Sequence, residues 1–387
     1  MNFRKAQKID FKYLCECKKD AYRFPEEYLE AYESNMFFPD KCVVCEENGG
    51  ISSYIQSCDY GIAVGRKTIT VRYINDAYTI PSKRRMGYMK DGIKNILGAM
   101  NAEKVPFVFC VPFDRRIFDS LGFRIVSDIK EYRITADDIP AYKISGDVKM
   151  IRRPDESMIN GISSVYESYM KRKETPRFYA LRANIHQYKM IDNFTENYGG
   201  GFAAFYDPAG ELSGYVMYMI ENKLLNVYEY AYKDAAAYKS VFAFLKNHKY
   251  QAEKIIIKTS ADDAAYTDFS GGETRLIPFA AARAANIEEV LRLFADRLDG
   301  INIRIFDPMI GMNSGTWSVS AGSVMPTSEE YDFETDEGTF TQMCLGYISA
   351  EDAMYMGYMK KATGDSGKVA AMRDAFKKGD NYINMLL

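Results

Sequence analysis

Histidine is nearly absent: the 387 residues hold two, His186 and His248. A nucleophile activated by histidine, or a histidine-rich metal site, has almost nothing to be built from. Positive charge is not in excess either. Fifty Lys and Arg stand against 53 Asp and Glu, for a net charge of −3, and a chain without a basic footprint does not read as a nucleic-acid binder. Cysteine is sparse and odd in number, seven in all, which speaks against a disulfide framework and for a reducing compartment. No apolar run approaches the ~20 residues that span a bilayer. The basic start, Met1 to Lys8, has no apolar stretch behind it that would make a secretory signal. The expectation is a soluble, cytoplasmic chain with no nucleic-acid or membrane partner.

What is present is the composition of a globular protein, 47% hydrophobic and 27% charged, long enough for two or three domains. The most informative stretch is Thr79-Ile80-Pro81-Ser82-Lys83-Arg84-Arg85-Met86-Gly87-Tyr88-Met89. A β-branched run, Thr68 to Ile74, leads into it, and a helical pattern follows (Met86, Met89, Ile93, Ile96, Leu97, Met100). A strand therefore enters a tight loop that opens a helix. Such a loop suits a pyrophosphate. The first N–H groups of a helix point at an anion, Gly87 lets the backbone approach, and Arg84 and Arg85 add charge-assisted contacts. The bland alternative is an ordinary strand–helix connection with solvated arginines.

Residues 1–145 read as one α/β unit: a helix capped by Asp10, strands at Lys41–Glu46 and Ile51–Gln56, the long strand to Ile80, the helix from Gly87, a buried strand Val105–Val111, a short helix capped by Asp114, and a last strand from Phe123 to Ile134. Residues 146–275 repeat the pattern, but their strand-to-helix link, Tyr232 to Ala237, has no arginine pair and no glycine. Residues 276–387 differ. An amphipathic helix spans Ile287–Leu298, a strand spans Asn302–Asp307, an acidic segment lies at 329–337, and the chain stops on an apolar tail, Tyr382 to Leu387.

The remaining constellations are weaker. Cys42 and Cys45, with Cys15 and Cys17, have metal-ligand spacing. An intervening strand would turn Cys42 and Cys45 apart, so buried free thiols and no metal are expected. His248 falls near a helix C-terminus, which favours positive charge. The acidic segment reads as a solvated face, or as a lure for a cationic substrate. An apolar tail with no polar extension tends to dock rather than fray, either as simple packing or carrying its α-carboxylate into the protein.

The loop Thr79-x-Pro81-x-x-Arg84-Arg85-x-Gly87, a second half without it, and the third region together resemble the enhanced-intracellular-survival-like acetyltransferases. The resemblance covers nearly the whole chain. It implies an α+β fold: two tandem GNAT-type mixed-sheet domains, 1–145 and a degenerate 146–275, then a sterol-carrier-protein-like α+β domain, 276–387. It further implies acetyl-CoA as co-substrate, an amine-bearing small molecule or peptide as acceptor, and a homo-oligomer, since family members form hexamers. Ala77, Tyr78 and Thr79 would pair with the pantetheine arm. Arg84, Arg85, Met86, Gly87, Tyr88, Met89 and Lys90 would hold the phosphates, and Phe113 and Asp114 would line the gap at the thioester. The terminal carboxylate on Leu387 would be the general base. One position departs from the family pattern: Phe118 stands where a tyrosine would protonate the departing thiolate, and phenylalanine has no proton to give. Asp119 or water would have to serve, or the thiolate leaves unaided. Two other readings stay open: a weak or inactive scaffold that binds a lipid or apolar ligand, and a tandem-domain aminoacyl transferase acting on a peptide or cell-wall precursor.

Overall fold

In the computed structural model the described residues are 1–22, 37–47, 49–65, 67–173, 178–182, 195 and 199–384. The chain opens with strand β1 (Asn2–Lys5) and helix α1 (Phe11–Tyr22). Asp10, the residue before α1, closes the turn ahead of the helix, accepting the Gln7 N–H at 2.7 Å and pairing with Arg4 at 2.8 Å. Strands β2 (Cys42–Glu47), β3 (Gly50–Val64) and β4 (Lys67–Thr79) form an antiparallel meander. β3 runs eight residues past the expected end at Gln56, because its buried positions continue through Cys58, Tyr60 and Ile62. Helix α2 (Tyr88–Ala102) places Ile93, Ile96, Leu97 and Met100 on one face, as their i, i+3, i+4, i+7 spacing dictates, and that face packs on Val43, Ile55 and Ile74. Strand β5 (Phe107–Cys110), helix α3 (Arg115–Asp119) and strand β6 (Arg124–Ile134) follow.

The middle of the chain supplies β7 (Asp147–Met150), α4 (Glu156–Met170), β8 (Phe178–Ala180), β9 (Gly201–Tyr206), β10 (Leu212–Glu221), β11 (Leu224–Tyr232), α5 (Ala235–Lys246) and β12 (Lys254–Ser260). The last part supplies β13 (Glu273–Ala284), α6 (Ile287–Leu293), β14 (Ile301–Phe306), β15 (Gly315–Ser320), β16 (Ser323–Thr327), β17 (Phe333–Asp336), α7 (Glu337–Cys344), α8 (Ala350–Tyr355), β18 (Met359–Lys361) and α9 (Ser366–Ala375). Two compact units result, Met1–Ser127 with Pro176–Phe178 and Phe279–Asn381, and Asp128–Thr175 with Tyr179–Pro278 and Tyr382–Leu387.

In the first unit the strand order is β1-β2-β3-β4-β5-β13-β6, and a separate five-stranded sheet runs β16-β15-β14-β17-β18. The sequence reading lacks β13, and the boundary it sets at 275 falls inside that strand. The stretch Ala280-Ala281-Ala282-Arg283-Ala284 favours helix by propensity, yet pairing of Ala281–Ala284 with β5 overrides it, since a fully buried slot between strands admits small side chains. Arg283 lies in that slot, wholly buried. Its guanidinium donates to the Leu121 carbonyl and to Asp307, both at 2.7 Å, and stands 3.7 Å from Glu337. Gly122, at φ +86°, is required beside it, because a β-carbon there would meet Arg283 Nη1 at 2.8 Å. Burial, with Asp307 nearby, pushes the Glu337 carboxyl up to about 7 against the pull of Arg283.

The acidic segment is thus not one solvated face. Glu337 is buried, Asp332 accepts the Asn302 N–H and pairs with Lys368, and Asp336 caps α7. In the second unit the order is β6-β12-β11-β10-β9-β7. His248 lies just past the C-terminus of α5, as expected, packed edge-on to Tyr218 and Phe244, and burial lowers its pKa. Among the described residues no helix is long and apolar enough to cross a membrane.

Candidate cofactor and active site

The site begins with a register fault. β3 and β4 pair as Gln56↔Asp76 and then Ser57↔Ile74, so Asn75 is an extra residue, a β-bulge. On its other side β4 runs parallel to β5 through only three pairs, Arg72↔Val108 to Ile74↔Cys110. β5 stops there while β4 continues to Thr79. The strands part at the bulge, and Ala77, Tyr78 and Thr79 form the end of the strand that continues. Ser53 holds this end, donating to the Tyr78 carbonyl at 2.8 Å and lying 3.0 Å from the Thr79 hydroxyl.

After Thr79 the chain makes a 3₁₀ turn, Pro81–Lys83, and then two left-handed residues, Arg85 at φ +64° and Gly87 at φ +91°. Gly87 is the N-cap of α2, and no side chain caps it. A β-carbon on Gly87 would meet nothing nearer than 4.0 Å, so the dihedral, not crowding, is what calls for glycine. Arg85 adopts a conformation that costs a non-glycine residue about 1–2 kcal/mol. Left-handed residues in a loop turn successive N–H groups toward one concave side, and the helix start adds its own unpartnered donors.

Arg84, Arg85, Met86 and Lys90 are exposed. Arg84 donates from Nε to the Thr79 carbonyl at 3.1 Å, with its guanidinium 5.9 Å from the Tyr78 ring. Tyr88 differs: its side chain is buried and its hydroxyl donates to Glu47 at 2.6 Å, where Lys83 also pairs at 3.0 Å. The Tyr88 hydroxyl and the Lys83 ammonium hold the Glu47 carboxyl below its usual range. Only the backbone of Tyr88 faces the loop's task. Met89 is half-buried against the α2 core.

Phe113 and Asp114 follow β5, the strand beside β4. Phe113 is exposed, with its ring edge-on to Phe118 at 5.8 Å. The Asp114 carboxylate is already engaged. It caps α3 through the Arg116 N–H at 3.0 Å and pairs with the Arg116 guanidinium at 2.7 Å. Phe118 is buried between Phe113 and Phe123, the latter 5.5 Å away. Asp119 is tied to Arg115 at 3.2 Å. Leu387 lies outside the described residues. The tail leading to it is docked as far as Asn384, with Tyr382, Ile383 and Asn384 all buried.

Two buried clusters escaped the sequence reading. Asp76, one residue past the bulge, accepts the Tyr54 hydroxyl at 2.6 Å and lies 3.3 Å from Lys18. In the second unit β10 and β11 pair as Met217↔Glu229 and then Tyr218↔Val227, so Tyr228 is again an extra residue. Glu229, one residue on, accepts the Tyr215 hydroxyl at 2.7 Å and pairs with Arg182 at 2.5 Å. Tyr54-Ile55-Gln56 and Tyr215-Val216-Met217 stand at matching register to Asp76 and Glu229, and aligning those two short strings would have exposed the repeat.

The second unit also has the parting strands. β11 and β12 are parallel from Leu224↔Lys254 to Val227↔Ile257 and pair no further. Past that point the Asp263 carboxylate accepts hydroxyls from Tyr132 at 2.6 Å and from Tyr169 and Tyr230 at 2.8 Å each. At the start of α5, Asp234 supplies a side-chain cap, accepting the Ala237 N–H at 2.8 Å. The nearby cavity of about 350 Å³ is lined by Tyr232, Asp234, Tyr238 and Asp268, walls that repel an anion. The cysteines are free thiols, six of them buried, and among the described residues no group of three or more His, Cys, Asp or Glu is placed to hold a metal.

Comparison with known proteins agrees with this duplicated geometry. The acetyltransferase (GNAT) domain family matches residues 2–126, a second acetyltransferase (GNAT) domain family matches 182–283, and the sterol carrier protein domain family matches 289–384. No curated protein matches the chain. Among solved structures it is similar in fold to a probable N-acyltransferase from Enterococcus faecalis (17% identity, 99% of this chain and 98% of that one, TM-score 0.80). It is similar also to a GCN5-related N-acetyltransferase from Anabaena variabilis (14%, 99% of each chain, 0.80) and to Eis1 from Mycobacterium abscessus (15%, 100% of each chain, 0.73). The chain thus carries two GNAT acetyltransferase domains in tandem with a sterol carrier protein domain behind them.

Proposed function

We propose that the chain is an acetyl-CoA-dependent N-acetyltransferase acting on a primary amine of a cationic small molecule or a lysine side chain, by direct attack in a ternary complex. The observation that carries this reading is the uncapped, left-handed entry to α2 at Gly87, set at the end of a strand that has just parted from its neighbour. The loop N–H groups from Arg84 to Lys90, with both arginines, bind the pyrophosphate. The pantetheine arm runs along Ala77 to Thr79 as an added strand would, and brings the thioester to the bulge, beside Phe113 and the backbone of Asp114. Backbone N–H groups there polarise the thioester carbonyl.

An acceptor amine with a pKa near ~10.4 arrives protonated and gives up its proton before attack. The α-carboxylate of Leu387, directly or through a water, accepts it. Nitrogen then bonds to the acetyl carbon and passes its second proton to water, the C–S bond breaks, and CoA leaves as its thiolate, a tolerable leaving group at a free-thiol pKa of about 8.5. Phe118 supplies no proton to it. The protein acts in the cytoplasm as a homo-oligomer, with residues 1–145, 146–275 and 276–387 as its three domains and only the first binding cofactor.

Acetyl-CoA consumption with polyamines, aminoglycosides and lysine peptides tests the reading, alongside calorimetric binding of acetyl-CoA. Binding with stoichiometry one and turnover of an amine are expected. Failure of acetyl-CoA to bind the wild-type chain ends it. Phe118 favours a second reading, a scaffold with little turnover that binds an apolar ligand in its third domain. Lipid without CoA in a native mass spectrum of purified protein would select that one.

A further inference from the structure

In the second unit, the place that the first half gives to its arginine loop is walled in another way. β11 ends at Tyr232, and Asp234 caps the start of α5. Beyond β12 the chain makes a 3₁₀ turn, Ala265–Thr267, which closes at Asp268. A cavity of about 350 Å³ lies among these segments, with Tyr232, Asp234, Tyr238, Thr267 and Asp268 in its walls. The rings are fixed from behind. Tyr169 packs edge-on to Tyr232 at 5.0 Å, Phe242 lies 4.8 Å from Tyr238, and Tyr232 and Tyr238 are 5.2 Å apart.

The two carboxylates each keep one oxygen in reserve. Tyr142 and Tyr238 both donate to Asp268 Oδ2, at 2.6 and 2.8 Å, so Oδ1 has no donor among the described residues. Asp234 accepts the Ala237 N–H through Oδ1 at 2.8 Å, and its Oδ2 likewise has none. The nearby cations are engaged elsewhere. Arg172 and Lys173 pair with Asp262 at 2.9 and 3.1 Å, Lys130 donates to the Asp263 carbonyl, and the Lys239 ammonium lies 5.9 Å from the Tyr142 ring. The start of α5 contributes about half a positive charge, which two carboxylates outweigh. Aromatic faces attract cations, and spare carboxylate oxygens accept N–H bonds. Together they favour a protonated primary amine over an anion, a neutral alcohol or a quaternary ammonium, which brings no N–H. The volume falls within the ~300–1,000 Å³ of small-molecule sites, and walls fixed in advance lower the cost of binding.

We infer that the second half binds a primary alkylammonium ligand in this cavity, with Asp234 and Asp268 accepting its N–H groups and the Tyr232 and Tyr238 rings flanking its charge. Binding here goes beyond the proposed function, since none of these residues is assigned to cofactor or acceptor and no acetyl-CoA is needed. The duplicated frame thus takes ligands of opposite charge in its two halves.

Spermidine is the probe, titrated into the full-length chain by calorimetry, with octanediol as the uncharged chain and choline as the quaternary cation. Spermidine should bind at least tenfold tighter than either. Equal binding of octanediol or choline, or no spermidine binding at millimolar concentration, overturns the site. Asp268→Asn and Asp234→Ser, which keep an acceptor for the tyrosine hydroxyls and for the helix start, should each weaken spermidine about tenfold. The exposed Glu351→Gln in the first unit should not. Hydrogen exchange locates the ligand: spermidine should slow exchange across Tyr232–Lys239 and Ala264–Phe269. An amine bound only as acceptor in the first half would protect neither segment and keep its affinity in both variants. That result overturns the site and leaves the proposed function standing. Failure of acetyl-CoA to bind, with spermidine still protecting these segments, counts against the proposed function alone.

Discussion

In the first GNAT half, β4 and β5 share three residue pairs and part after Ile74 and Cys110; in the second, β11 and β12 share four and part after Val227 and Ile257. Both halves place a one-residue bulge at the parting, a buried carboxylate just beyond it and a tyrosine hydroxyl on that carboxylate. The frame is the same, and the contents differ. Where the first half has an uncapped helix start with Arg84 and Arg85, the second has Asp234 as a cap and Asp268 nearby. Beyond its parting strands the second half packs Asp263 and three tyrosines. The lesson is that the bulge and its carboxylate belong to the scaffold, whereas the loop chemistry decides whether a half receives a nucleotide.

The sharpest way to break this comparison is the loop itself. Arg84→Ala with Arg85→Ala should weaken acetyl-CoA binding by about a hundredfold or more, at ~1.5–3 kcal/mol for each charge-assisted contact. Asp234→Ser in the second half, which keeps a cap, should leave affinity unchanged. Isothermal calorimetry measures both, and equal losses would dissolve the distinction between the halves. Next in size, Asp263→Ala removes the carboxylate shared by three buried hydroxyls, leaving Tyr132 the Asp263 backbone carbonyl at 3.1 Å and Tyr169 the Thr259 hydroxyl at 3.4 Å, and should cost about 2 kcal/mol or more in urea unfolding, at roughly 1–3 kcal/mol per unsatisfied group. It should not create a second cofactor site, so a stoichiometry of two would show that the tyrosine cluster alone had been blocking one.

Titration sharpens the contrast between the units. Glu337 in the first unit has its folded pKa raised from 4.5 to about 7. Its stabilising contribution is complete below the unfolded value and is lost as pH rises through about 7, on the order of 3 kcal/mol in all. Tyr232 in the second unit is pushed up to about 12, chiefly by burial, so its contribution to that unit is lost only as pH climbs from about 10 toward 12. Hydrogen exchange at pH 5 and pH 7.5 should show weaker protection of β13 and β5 at the higher pH, whereas β10, packed against His248 with its lowered pKa, should be protected no less at pH 7.5 than at pH 5; Glu337→Gln should remove the first effect and leave the second. The smallest effect is Gly87→Ala, which should cost about 1–2 kcal/mol for a left-handed β-carbon and weaken acetyl-CoA binding only modestly, since no atom crowds that position.

Much of the first half was readable because its signals are local. The Pro81–Gly87 loop announces itself by residue type, and α2 by the spacing of Ile93, Ile96, Leu97 and Met100. Asp76 and Glu229 were not readable one at a time, because a carboxylate in a strand says nothing until the register shows that each follows a bulge and faces a tyrosine two strand positions away. The acidic run from Glu329 to Glu337 misled for a related reason: charge in a row suggests solvent, yet the partners that bury it, Arg283 and Lys368, are far away in sequence. β13 was invisible because its alanines carry helix propensity and only the neighbouring strands make them β.

That strand has a consequence for how the molecule comes into being. Cys110 meets Ala281 across the sheet, so the edge of β5 must wait for 171 more residues to be synthesised before its neighbour exists. At a ribosomal pace of ~5–20 residues per second this is roughly ten to thirty seconds, during which an apolar strand edge is exposed to pairing with other nascent chains. An amino-terminal fragment ending near residue 145 carries that open edge permanently and should be recovered from expression as aggregate, whereas the same fragment co-expressed with residues 146–387 should dissolve with it.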